Sequence, residues 1–294
     1  MAVRGRNLTN AIMLTLCCLG AALALLVLGL VLYFLLSKGF SSLHLSLFTR
    51  LPNHSNESQG GMAQSILGTL TLLGVASMLG LPLGLLGGIY QVEARGPFAG
   101  TVRFFTDVLN GIPSIVIGIF VYAAVVYPTA RAHPGTGFSA YAGGIALGIL
   151  MIPTVMRTTE EILRLVPNAL KEASLGLGAT RWRTMWSVIL PTARGGIITG
   201  VMLALARIAG ETAPLLFTIL GNEFLATHKW HGLTLPTVQA PIDALPLRIY
   251  NYALNVDTDQ NNMAWAGAVV LITLILVLSI AARFATRSRL MEEK

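Results

Sequence analysis

Arg207 and Glu211 are the residues whose types and spacing come nearest to a chemical site. They stand four apart in an otherwise apolar stretch, Gly195 to Asn222. On a continuous helix they would share a face, about one turn apart. An arginine in the middle of a membrane-spanning stretch costs about 2.5–3.5 kcal/mol on insertion scales, so it should face protein and have a partner. Two readings of the pair stay open. It is either a mutually neutralising ion pair that stitches helices together, or an anion site in which Arg207 offers its planar fork of donors to an oxyanion. In the second reading Glu211 holds the guanidinium in place or accepts a proton from the substrate. Hydrogen phosphate has a proton to give and sulfate at neutral pH does not, so a fixed acceptor would favour the first and repel the second. Thr212, beside Glu211, is a further candidate donor.

Other residues carry weaker signals. Ser114 follows Pro113, which lacks an N–H; the pair either opens backbone and hydroxyl groups to a pathway or marks an ordinary helix kink. Arg157 either extends an anion path or follows the charge bias of membrane loops. His228 and His231 are three apart with no third ligand nearby, so no metal site is expected, and their loop reads as a connector or a contact for another protein. Cys17 and Cys18 are adjacent in an apolar run and read as small buried apolar residues. No Gly-x-x-x-x-Gly-Lys-Ser/Thr segment occurs, so nothing in the chain cradles nucleotide phosphates.

The elements that hold these residues follow from a scarcity of charge. Only 11% of the 294 residues are Asp, Glu, Lys or Arg, hydrophobic residues make up 54%, and the mean hydropathy is +0.70. A soluble domain is about 25% charged, and a disordered chain is poor in apolar residues; both classes are excluded. Uncharged stretches run from Asn7 to Ser37, Ser58 to Val92, Val108 to Ala130, Ala132 to Met156 and Gln260 to Ala282. Each exceeds the roughly 20 residues that cross a bilayer as helix. With the Arg207 stretch they make six predicted spans in an all-α membrane helix bundle; no period-two alternation suggests barrel strands. Gly80-x-x-x-Gly84, Gly144-x-x-x-Gly148 and Gly196-x-x-x-Gly200 suit close helix contacts. The first stretch, Ala11 to Leu36, is far longer than a signal-peptide core and reads as an uncleaved helix.

Six spans put both termini on one side. That side would hold fourteen basic residues and the other five, which places the termini in the cytoplasm. The net charge of +7 is therefore topology, and no nucleic-acid partner is expected. Between spans four and five, Arg157 to Arg194 forms the longest cytoplasmic segment. A first helix from Asn168 to Leu177 would place Leu170, Ala173 and Leu177 on one face, with Gly178 ending it. Thr180 would cap a second helix from Arg181 towards Leu190. In it Trp182, Met185, Trp186 and Ile189 would form one apolar face before Pro191 stops the helix. Periodicity alone suits a helix lying on the membrane as well as one docking on a protein.

Glu172-Ala173-Ser174, Gly178 and Val188-x-Leu190-Pro191 resemble the EAA loop of ABC-importer permeases, with Ser174 for the second alanine and Val188 for isoleucine. The run Ala206 to Phe217 closely resembles the signature of the phosphate-specific permeases of the PstA type. Asp107 to Phe120 resembles that family's third-span entry, and Pro153 to Glu160 its fourth-span exit. The resemblance implies a type I importer permease fold. It divides the chain into residues 1–59 (a first helix and outer loop), a permease core at 60–285 with the coupling loop at 157–194, and a cytoplasmic tail at 286–294. It implies that Glu172, Ala173 and Gly178 couple to a separate ATPase; Arg207, Glu211, Thr212, Ser114 and Arg157 are the candidates for the substrate pathway. The implied partners are a PstC-type permease, two ATPase subunits that use ATP and Mg, an external phosphate-binding protein and membrane lipid, in a bacterial plasma membrane. This chain would itself catalyse nothing. A permease for molybdate or sulfate is the alternative within the class, and a secondary anion carrier is the alternative outside it; no second copy of the Arg207 segment supports an inverted repeat.

Overall fold

In hydrocarbon every backbone polar group must find its partner within the segment, so long uncharged runs become long helices. A computed structural model describes residues 2–52, 60–94, 96–133, 136–222, 227–230 and 233–291. In chain order it holds α1 (Ala2–Gly39), α2 (Ser46–Thr49), α3 (Ala63–Glu93), α4 (Pro97–Gly111), α5 (Ser114–Val121) and α6 (Tyr127–Ala132). There follow α7 (Ala140–Arg164), α8 (Asn168–Gly176), α9 (Arg181–Thr184), α10 (Leu190–Ala209), α11 (Leu245–Ala253) and α12 (Thr258–Met291). The β structure among the described residues is slight: β1 (Thr227–Trp230) pairs antiparallel with β2 (Leu233–Pro236), and Leu220 bridges Ile242. His54 and His231 lie outside the described residues.

Among the described residues six segments are long and apolar enough to cross a membrane, as the composition predicts. Three differ from their predicted limits, each for a local reason. The third span is split: α4 ends at Gly111 and α5 starts at Ser114, with Pro113 between them at φ −57° and ψ 134°, an extended residue that leaves the helical path. The fourth starts at Ala140 and continues to Arg164, so Arg157 and its neighbours sit on the last turns of α7 and not in a loop. Pairing at i,i+4 permits this, because Arg157 bonds Glu161 at 2.7 Å and Arg164 bonds Glu160 at 2.7 Å. The fifth begins at Arg181 and runs through Pro191, which does not stop it. A widened turn over Met185–Ile189, closed by the Leu190 N–H on the Met185 carbonyl five residues back, absorbs the ring.

Glycines set the core. A Cβ at Gly80 would meet Met151, one at Gly84 would lie 2.6 Å from the Val155 Cβ, and one at Gly88 would meet Thr159. The two series rise together, so α3 and α7 are parallel and touch almost backbone to backbone. Gly196 and Gly200 of α10 meet Ile162 and Thr158 in descending order, so α10 runs antiparallel to α7. At the Ala140 end the outer segment folds down on the bundle. The N–H groups of Ser139, Ala140 and Tyr141 donate to the carbonyls of Thr218, Ala240 and Val238. Below them Asp243 is 1% exposed; its Oδ2 accepts from Ser65 Oγ at 2.5 Å and Arg248 Nε at 2.7 Å. The end of α1 packs on α12, where a Cβ at Gly39 would meet Val269 and Trp265. The rest of α1 stands clear, so Cys17 and Cys18 are exposed on an apolar helix and not buried as predicted.

Candidate functional site

The helix that carries Arg207 stops two residues later. Gly210 caps α10, its N–H bonded to the Arg207 carbonyl, and the Glu211 N–H bonds the Ile208 carbonyl. Pro214 keeps the helix from continuing, since it has no N–H to give the Gly210 carbonyl four residues back and its ring would crowd it. Glu211 therefore follows the end of the helix in a tighter turn instead of lying within it, and among the described residues no ion pair joins it to Arg207. Instead the Arg207 Nη1 donates to Thr154 Oγ1 of α7 at 3.4 Å. Thr154 stands near the middle of α7, about 21 Å from the start of that helix and about 15 Å from its end at 1.5 Å per residue. Arg207 is exposed there.

The surrounding groups lie on an open face. Arg157, one turn beyond Thr154 on α7, is also exposed, and it feels Asp107 of α4 as well as Glu161. The start of α5 leans on the chain that leaves α10: a Cβ at Gly118 would lie 2.6 Å from the Pro214 Cα. Two interrupted helices thus meet, one bringing Ser114 at its first residue and the other Glu211 and Thr212 just past its last; all three are half-buried. The sequence motifs point to every one of these residues except Thr154, whose signal is its place between Pro153 and Arg157. The Arg207 fork, with the Thr154 hydroxyl bonded to it, can bind and orient an oxyanion through charge-assisted hydrogen bonds, and Arg157 adds positive charge one turn away on α7, where Glu161 holds it. An exposed guanidinium at mid-depth is costly against lipid, so this face must meet protein or water.

The second candidate is the loop between α7 and α10. α8 ends as predicted: Gly178 takes φ +82°, the Ala179 N–H bonds the Ser174 carbonyl, and the Gly178 N–H bonds the Leu175 carbonyl. Thr180 Oγ1 accepts from the Arg183 N–H at 3.3 Å and caps α9. A hydroxyl bond of 2.9 Å between Ser174 and Thr184 closes the two helices on each other. The predicted four-residue apolar face divides. Met185 and Ile189 are buried with Leu163 and Ala193, whereas Trp182 is 70% exposed and Trp186 lies beside it, ring centres 5.3 Å apart. The ridge that meets α7 is Met185, Ile189 and Ala193, and the tryptophan ridge lies beside it, facing away. Glu172, Ala173, Gly178, Leu170 and Leu177 are exposed too, so the loop offers an apolar patch with an acidic residue in it.

Residues 80–289 match the family model described as "Binding-protein-dependent transport system inner membrane component". The chain is 41% identical over 280 residues to the phosphate transport system permease protein PstA of Haemophilus influenzae, covering 95% of this chain and 94% of that protein. It is 38% identical over 235 residues to PstA 1 of Mycobacterium tuberculosis, covering 78% of this chain and 72% of that one. Among solved structures, an inward-facing form of the MetNI methionine ABC transporter aligns with 78% of this chain and 94% of its own, at 22% identity and a TM-score of 0.54.

Proposed function

The chain belongs to the family of inner-membrane components of binding-protein-dependent transport systems, and we propose that it is the transmembrane permease subunit of an ATP-driven importer of inorganic phosphate. The observation that carries this reading is Arg207: exposed at mid-depth, bonded to Thr154, and free of the neutralising pair that a stitching role needs. Phosphate is favoured over molybdate or sulfate because the relatives at about 40% identity are named for phosphate; the carboxylate of Glu211 would add to that preference by accepting the proton that hydrogen phosphate carries.

A second, different permease of the PstC type covers the open face and makes the path between the two chains. Arg207 holds the anion, with Glu211, Thr212 and Ser114 around it, and Arg157 draws it towards the cytoplasm. The termini and the α8–α9 loop lie on the cytoplasmic side, as the excess of basic residues there supports. Two ATPase subunits using ATP and Mg²⁺ dock on that loop through Glu172, Ala173 and Gly178. A phosphate-binding protein delivers the anion outside. No bond is made or broken in this chain; it binds, gates and passes on.

The test is uptake of labelled phosphate by proteoliposomes that hold the assembled complex, with ATP on the loop side and the binding protein on the other. ATP-dependent phosphate uptake is expected, and Arg207→Gln should abolish it while the complex still assembles. Uptake of sulfate or molybdate in place of phosphate overturns the substrate, and uptake without any ATPase overturns the class.

A further inference from the structure

Polar links step across the cytoplasmic half of the bundle, from the docking loop to the broken third span. Lys171, the neighbour of Glu172 on α8, bonds Glu93, the last residue of α3, with Nζ 2.5 Å from Oε1. Two residues earlier on α3, Gln91 Nε2 donates to Thr106 Oγ1 of α4 at 3.2 Å, and both side chains are buried. One turn back on α4, Arg103 Nη2 donates to Glu160 Oε1 of α7 at 2.6 Å. The same oxygen accepts from Arg164 Nη2 at 2.7 Å, and the Glu160 side chain is 4% exposed. α4 is thus fastened to α3 at one point and to α7 at another, and its free end, Gly111, opens onto Pro113 and Ser114.

The type of contact decides what moves with what. α3 and α7 meet through glycines at backbone distance and form one rigid pair. α4 has no such seam. Glu160 is buried while Arg103 and Arg164 are partly exposed, and both bond its Oε1, leaving Oε2 buried without a partner; withdrawing Arg103 would leave this buried carboxylate with less compensation, which ties α4 to α7. The Lys171–Glu93 pair is the polar tie between α8 and the end of α3.

We propose that Lys171 and Glu160 are positioning residues for transport. The Lys171–Glu93 pair carries a displacement of the docking loop to α3, and the Glu160 clamp makes α4 follow, so that the gap between α4 and α5 beside the Arg207 site opens and closes with the ATPase. This rests on the permease reading above. Neither residue touches the anion.

The assembled complex in proteoliposomes tests it, with phosphate uptake and ATP hydrolysis read in the same preparation. Lys171→Glu and Glu93→Lys should each lower the phosphate moved per ATP about tenfold, within the range of measured couplings between sites, while hydrolysis continues. The double exchange should restore the ratio. Lys171→Gln and Glu93→Gln remove the tie without reversing a charge, and Glu160→Gln loosens the clamp; each should show the same loss. Uptake and hydrolysis falling in proportion mark a docking or folding role and overturn the proposal, as does an exchange that restores nothing. Failure of the permease reading looks different: the unaltered complex then moves no phosphate with ATP.

Discussion

An arginine at mid-depth without a carboxylate against it has to be used or covered, and this one is set to do both. If its fork of donors matters, Arg207→Lys should restore little of the uptake that Arg207→Gln loses, because an ammonium is a point charge. Glu211→Gln should keep uptake but lose the preference for phosphate over sulfate, read by competition between the two anions; unchanged discrimination removes Glu211 from the selection. Thr154→Val deletes one hydrogen bond, worth about 0.5–1.5 kcal/mol, and should raise the half-saturating phosphate concentration roughly two- to tenfold at an unchanged maximal rate. Arg207 was legible in the sequence because a charge inside an apolar run is conspicuous. Thr154 was not, since a threonine in a helix commonly bonds its own backbone, and nothing in the spacing reveals that α10 places an arginine beside it. Nor does the sequence mark Asp243: its partners, Ser65 and Arg248, come from α3 and α11, and only the fold brings them together. Asp243→Ala removes the buried carboxylate that Ser65 and Arg248 share; losing one partner of a buried pair costs about 3–5 kcal/mol, and the change should lower the thermal midpoint of the purified complex sharply.

Helices were legible where length decides and illegible where pairing decides. An uncharged run must become a span, so six were found. Their ends depend on whether charges pair at i,i+4, as on α7, or whether a widened turn absorbs a proline, as at Pro191; neither shows in hydropathy. The glycine pairs read as bundling signals do seat α3 against α7, and the contrast along one helix is testable. Gly84→Val puts atoms where Val155 already stands and should destabilise by about 1–3 kcal/mol, the usual range for overpacking. Gly74→Ala, on the same helix with open space around it, should be neutral or stabilising by up to about 1 kcal/mol from helix propensity. Thermal unfolding of both in one detergent separates packing from composition. At the docking loop the φ of +82° at Gly178 makes alanine unfavourable, by about 1–2 kcal/mol. Gly178→Ala should weaken ATPase binding without changing how tightly external phosphate is held.

At the scale of the molecule, the uncovered surfaces fall into two kinds. Most of α1 is apolar and exposed, which a bilayer satisfies. The face of α5, α7 and α10 that carries Arg207 and Arg157 is charged at membrane depth, and a bilayer cannot satisfy it. In the proposed importer a second permease chain covers that face, yet it cannot seal it if the anion is to pass. Two conformations then follow, one open to each side, because a site open to both at once would dissipate the gradient the ATPase builds. Thr154→Cys reports on this directly in a complex otherwise free of cysteine, with Cys17 and Cys18 replaced by serine. A membrane-impermeant thiol reagent should label it from the docking-loop side without nucleotide, and from the opposite side when ATP is bound and not hydrolysed. Labelling from both sides in one state would mean a channel. Labelling from neither would mean that Arg207 and Thr154 only stitch two chains together, and the pathway would have to be sought elsewhere.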